Sequence, residues 1–516
     1  MGGHDVTYLL RELILEKKPV DRNPRVTGLA YHSGRVEKGY LFFALKGLRS
    51  DGHSHVEAAA DRGAAAIVHS RVLPRYRPDL VYVLVSDARA AMSLAASRFY
   101  GAPSKDLTVI GVTGTDGKST TVWLINQLLE KLDKRCGFIS TATIKTAKET
   151  QKNPLRQSTP EAPEVHRLLQ AIRDGGNEYA VVEATSHGLS DNTKRLHNVL
   201  FDVAVLTNVT REHLEFHGSL EQYRSDKANL FRSLGNGNQN CFGVVNGDDA
   251  HHAMFAAATA FPVFTYSTRD PGADLFARAI APCTRGTRFE LVLGDEIEPG
   301  ELPLPGLFNL SNLMAATLTV AKLLSLPLCR INPLFPGLTN VKGRMQDLEM
   351  DQPFKVIVDF AHTPGAFEAL FSTMRPRVAR KLIAIFGSAG ERDSSKRPIQ
   401  GGIASRYADV IILTDEDPRA EDRQKILEDI AAGCGNKKRN IDLFLVPDRE
   451  KAIRFGISMA GEGDAVLCLG KGHEESIIYS NGSIKWNETE VVAEILKKDI
   501  RRRDSACHSD SHFEHP

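Results

Sequence analysis

The chain is short of the features that would give it a disulfide scaffold, a membrane span or a polyanionic partner. Its seven cysteines (Cys136, Cys241, Cys283, Cys329, Cys434, Cys468 and Cys507) are scattered and include no Cys-x-x-Cys pair. Such an odd set fits reduced thiols in a cytosol better than a bridged framework. Lysine and arginine total 65 against 64 acidic residues, a formal net charge of +1. No global field therefore draws the protein to nucleic acid or a membrane surface, and any anionic ligand must be held locally. No apolar run approaches membrane-spanning length, and the N-terminal segment lacks the apolar core of a signal peptide. Val6 stands where a myristoylation start wants Ser or Thr. A cytoplasmic protein is expected, and a monomer.

What is present is length and alternation. A chain of 516 residues with 42% hydrophobic residues is too long for one compact core and should divide into about three domains. Apolar strands alternating with helical patterns predict an α/β fold. A small α/β domain is expected over residues 1–102, with strands at Gly39–Leu45 and Ala64–His69 around a helix at Val56–Gly63. A central, mostly parallel sheet of the P-loop ATPase type is expected over 103–338, with strands at Thr108–Thr113, Tyr179–Ala184, Val203–Asn208 and Phe242–Asn246 and a helix near Ser311–Leu324. A Rossmann-like domain should follow over 339–500, with strands at Lys355–Phe360, Leu382–Gly387, Val410–Thr414, Leu443–Val446 and Val466–Leu469. It has no Gly-x-Gly-x-x-Gly after its first strand, so it is not read as a dinucleotide binder. The tail, 501–516, is polar, His-rich and without apolar periodicity, which predicts disorder rather than a metal site.

The most informative segment is Val-Ile-Gly-Val-Thr-Gly-Thr-Asp-Gly-Lys-Ser-Thr-Thr, Val109 to Thr121. A β-branched run turns through glycines into a helical pattern, which suits a loop that cradles phosphates with backbone N–H groups and a helix N-terminus. Lys118 supplies a mobile ammonium and Ser119 a hydroxyl for Mg²⁺. The loop departs from the usual Walker pattern in having Val112 where the first glycine should stand. Glu183 closes the next apolar strand, where a P-loop fold wants a second Mg²⁺ ligand; taken alone it could be an ordinary strand-end acid. Arg211-Glu212-His213-Leu214-Glu215-Phe216-His217 follows a third strand. Two histidines there suggest metal or phosphate work, and the absence of a cysteine or third histidine at suitable spacing favours ATP-linked Mg²⁺ over zinc.

Gly-Val-Thr-Gly-Thr-Asp-Gly-Lys-Ser-Thr, Glu-Ala-Thr-Ser-His-Gly-Leu, Thr-Asn-Val-Thr-Arg-Glu-His-Leu-Glu-Phe-His-Gly and Phe-Asn-Leu-Ser-Asn (308–312) together resemble the Mur ligase family of ATP-dependent amide-forming enzymes. Further motifs resemble one branch: Asp-Phe-Ala-His-Thr-Pro (359–364), Gly-Glu-Arg-Asp (390–393), Glu-Asp-Pro-Arg (416–419) and Gly-Lys-Gly-His-Glu (470–474). That branch adds a diamino acid to the D-glutamyl side-chain carboxylate of UDP-N-acetylmuramoyl-L-alanyl-D-glutamate in peptidoglycan synthesis.

The resemblance implies an ATP site at Gly114, Thr115, Asp116, Gly117, Lys118, Ser119 and Thr120, with Asn309, Arg344 and Asp359 at the base and ribose. Ser33, Ser158, Thr159, Thr185 and Arg195 would bind the UDP-linked dipeptide, and Arg392, Asp417, Arg419, Gly470 and Glu474 the amino acid. Catalysis would fall to Lys118, Glu183, His213 and Lys227. Ser119 and Glu183 would hold one Mg²⁺ and His213 a second, with Lys227 carbamylated by CO₂ to support it. The sequence departs from the family pattern in three motifs: Gln346 stands for a glutamate, the N-terminal motif reads Tyr-His-Ser-Gly-Arg-Val in place of Tyr-Asp-Ser-Arg, and Glu416-Asp417-Pro418-Arg419 stands for Asp-Asn-Pro-Arg, so that Asp417 replaces an asparagine. Arg419 matches enzymes for meso-diaminopimelate, whereas the charge of Asp417 favours a bare ammonium. The balance leans to meso-diaminopimelate, with lysine and ornithine open. Two other readings share the loop: a folylpolyglutamate synthetase, and a nucleotide-switched binding protein that forms no amide.

Overall fold

The computed structural model describes residues 8–14, 22–47, 50–155, 157–210, 214–235, 239–283 and 286–509. Three sheets carry the architecture. The first is a four-stranded parallel sheet in the order Gly28–Ala30, Tyr40–Phe43, Ala66–His69, Val81–Leu84. The helix Ala88–Phe99 packs it against the rest, with Asp87 capping the helix through the N–H groups of Arg89 and Ala90.

The central sheet has eleven strands among the described residues. Its parallel core runs Cys136–Ile139, Tyr179–Glu183, Thr108–Thr113, Val203–Leu206, Phe242–Asn246, Val263–Ser267. All but the last are buried on both faces, as crossover connections require, and so read as largely apolar runs; Val263–Ser267 is half-exposed over its first three residues. One edge extends through Leu275–Pro282, parallel to Val263–Ser267, and then the antiparallel strands Thr287–Leu293 and Glu296–Leu302; the other extends through the antiparallel strands Thr143–Lys145 and Thr150–Lys152. Neither extension was expected from the sequence. Their strands are half-exposed, and Pro299 and Gly300 break the pattern of the last.

The helix Leu307–Leu324 is long and apolar enough to cross a membrane by length and composition, contrary to the expectation that no run approached that length. It is a core helix, packed on Lys118–Lys131 and on the central sheet, with Leu313, Met314 and Leu318 fully buried.

The third sheet has the order Gln346–Asp347, Lys355–Asp359, Ala465–Leu469, Leu382–Phe386, Val410–Leu413, Leu443–Leu445, parallel except at its first strand. A buried ion pair ties its ends together. Arg449 donates Nε to Glu488 Oε2 at 2.9 Å, Nη1 to the Asp415 carbonyl at 2.9 Å and Nη2 to the Leu469 carbonyl at 2.7 Å, while Trp486 Nε1 donates to Glu488 at 2.6 Å. The tail from Arg501, expected to lack order, continues the helix Glu488–Ser509 as far as Ser509. Its arginines are good helix formers and lengthen a helix already nucleated. Residues 510–516 lie outside the described residues.

Because both Arg449 and Glu488 side chains are fully buried, Glu488→Gln leaves a guanidinium without its counter-charge. It should cost about 3 kcal/mol in chemical unfolding of the C-terminal domain, whereas an exposed pair such as Arg454–Glu450 should cost under about 1 kcal/mol.

Candidate active site

The strand Thr108–Thr113 ends in a turn with no room for side chains. A Cβ at Gly114, where φ is +147°, would lie 1.9 Å from Thr207 Oγ1; one at Gly117, where φ is +84°, would lie 2.3 Å from Asn312 Oδ1. Gly117 caps the helix Lys118–Lys131 in the left-handed conformation. Thr207 Oγ1 and Asn208 Nδ2 donate to the Asp116 carbonyl, and Asp116 N donates to Asn208 Oδ1. Lys118 Nζ folds back to the carbonyls of Gly114 and Thr115 at 3.1 and 2.8 Å.

Beside the turn, Glu183 is 2% exposed. Its carboxylate accepts from Ser119 Oγ at 2.9 Å, Ser140 Oγ at 2.7 Å, Thr141 N at 2.9 Å and Thr141 Oγ1 at 2.8 Å. That network holds the charge in place without an ammonium partner. Lys227, 1% exposed, donates to the Gly114 carbonyl at 2.6 Å and lies 4.5 Å from the Tyr223 ring centroid.

Two clefts meet at this turn. The first, of 300 Å³, is lined from the central domain by Asp116 to Ser119, Ser158, Glu183, Thr185 and Lys227, and from the C-terminal domain by Arg344, Arg392, Asp417, Arg419 and Glu474. The second, of 330 Å³, is lined by Asp116, Gly117, Thr120, Asn309, Arg344 and Asp359. Arg344 borders both, its guanidinium 4.5 Å from the centroid of the Phe360 ring. Asp359 is fixed by the N–H groups of Met345 and Ala361, each at 2.6 Å, and burial raises its carboxyl above the usual range.

On the C-terminal side of the first cleft Lys471 Nζ donates to Asp417 Oδ1 at 2.9 Å and to Glu474. Burial raises the Glu474 carboxyl. Burial works against the charge of Lys471, but Glu474 and Asp417 hold its pKa above that of an ordinary lysine. His473 is pushed down to about 3 by burial, with Arg344 adding to the effect. Glu416 is 7% exposed beside them.

Other expected residues fall elsewhere. Thr159 lies beneath the cleft, donating to the Glu183 carbonyl and accepting from Thr185 N and Oγ1. Arg195 supports it, donating to the Thr159 carbonyl at 2.9 Å and pairing with Glu161 at 2.8 Å. Gly470 makes a turn with φ of +99°, where a Cβ would meet Glu416 Oε2 at 2.8 Å; it shapes the floor and does not line the cleft. Ser33 begins the single turn Ser33–Arg35 in the N-terminal domain, outside both clefts. His213, expected at a second metal, lies outside the described residues. His217 is not a free ligand, since both ring nitrogens are engaged, with Asp226 at 2.7 Å and Ser186 at 3.0 Å.

Among the described residues no group of three His, Cys, Asp or Glu could hold a metal by itself. The donors beside the phosphate turn, Ser119 and Glu183, are hard oxygens. They fit Mg²⁺, which takes few protein ligands and completes its shell from phosphates and water. Reading residue types in motifs did not reveal Phe360, Tyr223, Lys471 or Asn208 as site-builders; their proximity comes from long-range packing.

A glycine turn leading into a helix with a lysine and a hydroxyl, open to the charged groups of a second domain, suits the joining of an activated acid to an amine, and the protein is an ATP-dependent ligase. Residues 25–100 match the Mur ligase family catalytic domain, 112–320 the Mur ligase middle domain and 343–472 the Mur ligase glutamate ligase domain. The chain is 44% identical to UDP-N-acetylmuramyl-tripeptide synthetase of Treponema pallidum, over 92% of this chain and 94% of that protein. It is 45% identical to the protein of the same name from a Roseiflexus species, over 90% and 93% of the two chains. A solved UDP-N-acetylmuramoyl-L-alanyl-D-glutamate–2,6-diaminopimelate ligase superposes with a TM-score of 0.65 at 30% identity, covering 96% of this chain and 99% of the other. The chain belongs to the Mur ligase family.

Glu183→Gln would set an amide N–H₂ among donors. It should cost about 1–3 kcal/mol in unfolding, and Mg²⁺ should no longer strengthen ATP binding in calorimetric titrations.

Proposed function

We propose that the protein joins a diamino acid to the D-glutamyl side-chain carboxylate of UDP-N-acetylmuramoyl-L-alanyl-D-glutamate in the cytoplasm, at the third position of a peptidoglycan stem. The observation that carries this reading is the first cleft. Lys118, Ser119 and Glu183 face Ser158 and Thr185 on one side and Arg392, Arg419 and Glu474 on the other. A carboxylate resists attack by an amine because its leaving group is poor. Attack of the carboxylate oxygen on the γ-phosphorus of ATP releases ADP and gives an acyl phosphate. The amine nitrogen then attacks the acyl carbon, phosphate leaves, and the nitrogen loses a proton. Lys118 compensates phosphate charge, and Arg344, at the junction of the clefts, is placed to follow it to the transferring group.

Mg²⁺ held by Ser119, Glu183 and His213 would supply further charge compensation. Lys227 is the candidate for carbamylation: its ammonium would lose one proton, and the free amine would add to the carbon of CO₂ and lose a second, turning a buried cation into an anion. Three domains divided near residues 102 and 338, acting in one monomeric chain, complete the reading.

The distal end of the amino acid carries the remaining choice. Asp417 and Glu474 share the single ammonium of Lys471, and Glu416 lies beside them. This surplus of carboxylate suits a distal ammonium, which meso-diaminopimelate, lysine and ornithine all offer. Arg419 adds a guanidinium whose Nε is buried without a hydrogen-bond partner, and it suits the distal carboxylate that only meso-diaminopimelate carries. The opposed signals of Asp417 and Arg419 thus agree on a zwitterionic distal group.

Phosphate release with ATP and the UDP-muramoyl dipeptide should occur with meso-diaminopimelate. Turnover only with lysine or ornithine overturns that choice, turnover with folate and glutamate overturns the peptidoglycan reading, and hydrolysis indifferent to every acceptor overturns the ligation. Lys118→Ala should abolish turnover. Lys227→Ala should lose activity that added short carboxylates recover, and unrescued wild-type turnover excludes the carbamate.

A further inference from the structure

The turn that holds phosphate also touches the C-terminal domain directly. Thr363 Oγ1 accepts from Ala366 N at 3.0 Å, capping the helix Pro364–Met374, and donates to Asp116, 3.1 Å from Oδ2 and 3.3 Å from Oδ1. The contact is tight. Thr363 is 1% exposed, and a Cβ at Gly365 would stand 3.7 Å from Asp116 Oδ2. Asp116 cannot swing away easily, because its own N–H and carbonyl are clamped by Thr207 and Asn208. Its carboxylate faces the positive end of an eleven-residue helix, an arrangement that favours negative charge there. Asp116 borders both clefts, so it lies between the nucleotide and the reacting groups.

We propose that Asp116 and Thr363 form a docking contact that couples the phosphate turn to the position of the C-terminal domain. Asp116 acts as a positioning residue: its carboxylate draws the helix cap, and with it Phe360, His362 and Arg344, onto the nucleotide. Nucleotide that orders the turn thereby favours the closed arrangement, and closure steadies the turn around the nucleotide. An asparagine at position 116 could accept the same hydrogen bond but would lose the attraction to the helix end. The proposal rests on the ligase reading for its kinetic test alone.

Thr363→Asn and Thr363→Asp both preserve a good helix cap, but only asparagine can donate to Asp116; aspartate sets two carboxylates together. With matched thermal midpoints, Thr363→Asp should lower kcat/KM for the amino acid about tenfold or more relative to Thr363→Asn. KM for ATP should move far less. Small-angle scattering with a non-hydrolysable ATP analogue should give a larger radius of gyration for Thr363→Asp than for the wild type or Thr363→Asn. Should Thr363→Asp fail to fold, Asp116→Ala removes the acceptor without touching the cap and, with the nucleotide analogue at saturation, should give the same larger radius of gyration. The double variant Asp116→Asn/Thr363→Asp should recover most of the loss. Equal kinetics and equal radii for Thr363→Asn and Thr363→Asp overturn the coupling, whereas a wild type without acceptor-dependent turnover overturns the ligase reading and leaves the scattering result standing.

Discussion

The site depends on one steric constraint: the backbone between Thr113 and Lys118 runs so close to the end of the strand Val203–Leu206 that it tolerates no side chain at Gly114. That closeness lets Thr207 and Asn208 clamp Asp116 from its backbone side. It also starts the helix at Lys118, which puts Ser119 within hydrogen-bonding reach of Glu183. A bulkier residue at 114 would push the turn off the strand and misplace the lysine, the hydroxyl and the aspartate together. The chain, with almost no net charge, thus gathers a lysine, a hydroxyl and two carboxylates around one turn.

The charges around that turn are organised by burial and hydrogen bonding more than by simple pairing. Glu183 is surrounded by hydroxyl and N–H donors, and Lys227 by a carbonyl and an aromatic face. In the amino-acid region one ammonium, Lys471, serves two carboxylates. Groups held in this way keep fixed positions from which to meet an arriving charge. His473 contributes in the opposite sense. Kept neutral by its surroundings, it packs against Phe360 with ring centroids 4.8 Å apart and adds no second cation beside Arg344.

The sequence made the parallel strands legible because strands covered on both faces must be apolar throughout, and Thr108–Thr113 and Phe242–Asn246 have the bounds their residues suggest. The antiparallel edges were illegible for the converse reason. Glu296–Leu302 alternates half-exposed and exposed positions through a proline and a glycine, a pattern that a surface loop shares. The helical course of residues 501–509 was missed because polar residues gave no periodicity, although they lack any helix breaker. In the site, the sequence suggested that Lys118, Ser119 and Glu183 act together, and the structure brings them beside one turn. Thr363 was legible only as a member of the 359–364 motif, since its partner, Asp116, is 247 residues away in sequence. Gly470 and Thr159 were assigned to ligand contact because motif residues do not reveal whether they face a cleft or support it.

The hairpin formed by Thr143–Lys145 and Thr150–Lys152 has a role beyond extending an edge. Its Lys152 forms an ion pair with Glu475 of the C-terminal domain, and both side chains are more than a third exposed, at 56% and 39%. Arg377 reaches across to the carbonyl of Gly286 at 2.8 Å. Contacts of this kind, solvated and polar, hold two bodies in register while costing little to break, and dissolved ions weaken the charged one over a Debye length of about 8 Å at physiological ionic strength. The domain boundary is therefore a place where ionic strength, acting far from the reacting atoms, weakens a contact between the central and C-terminal domains.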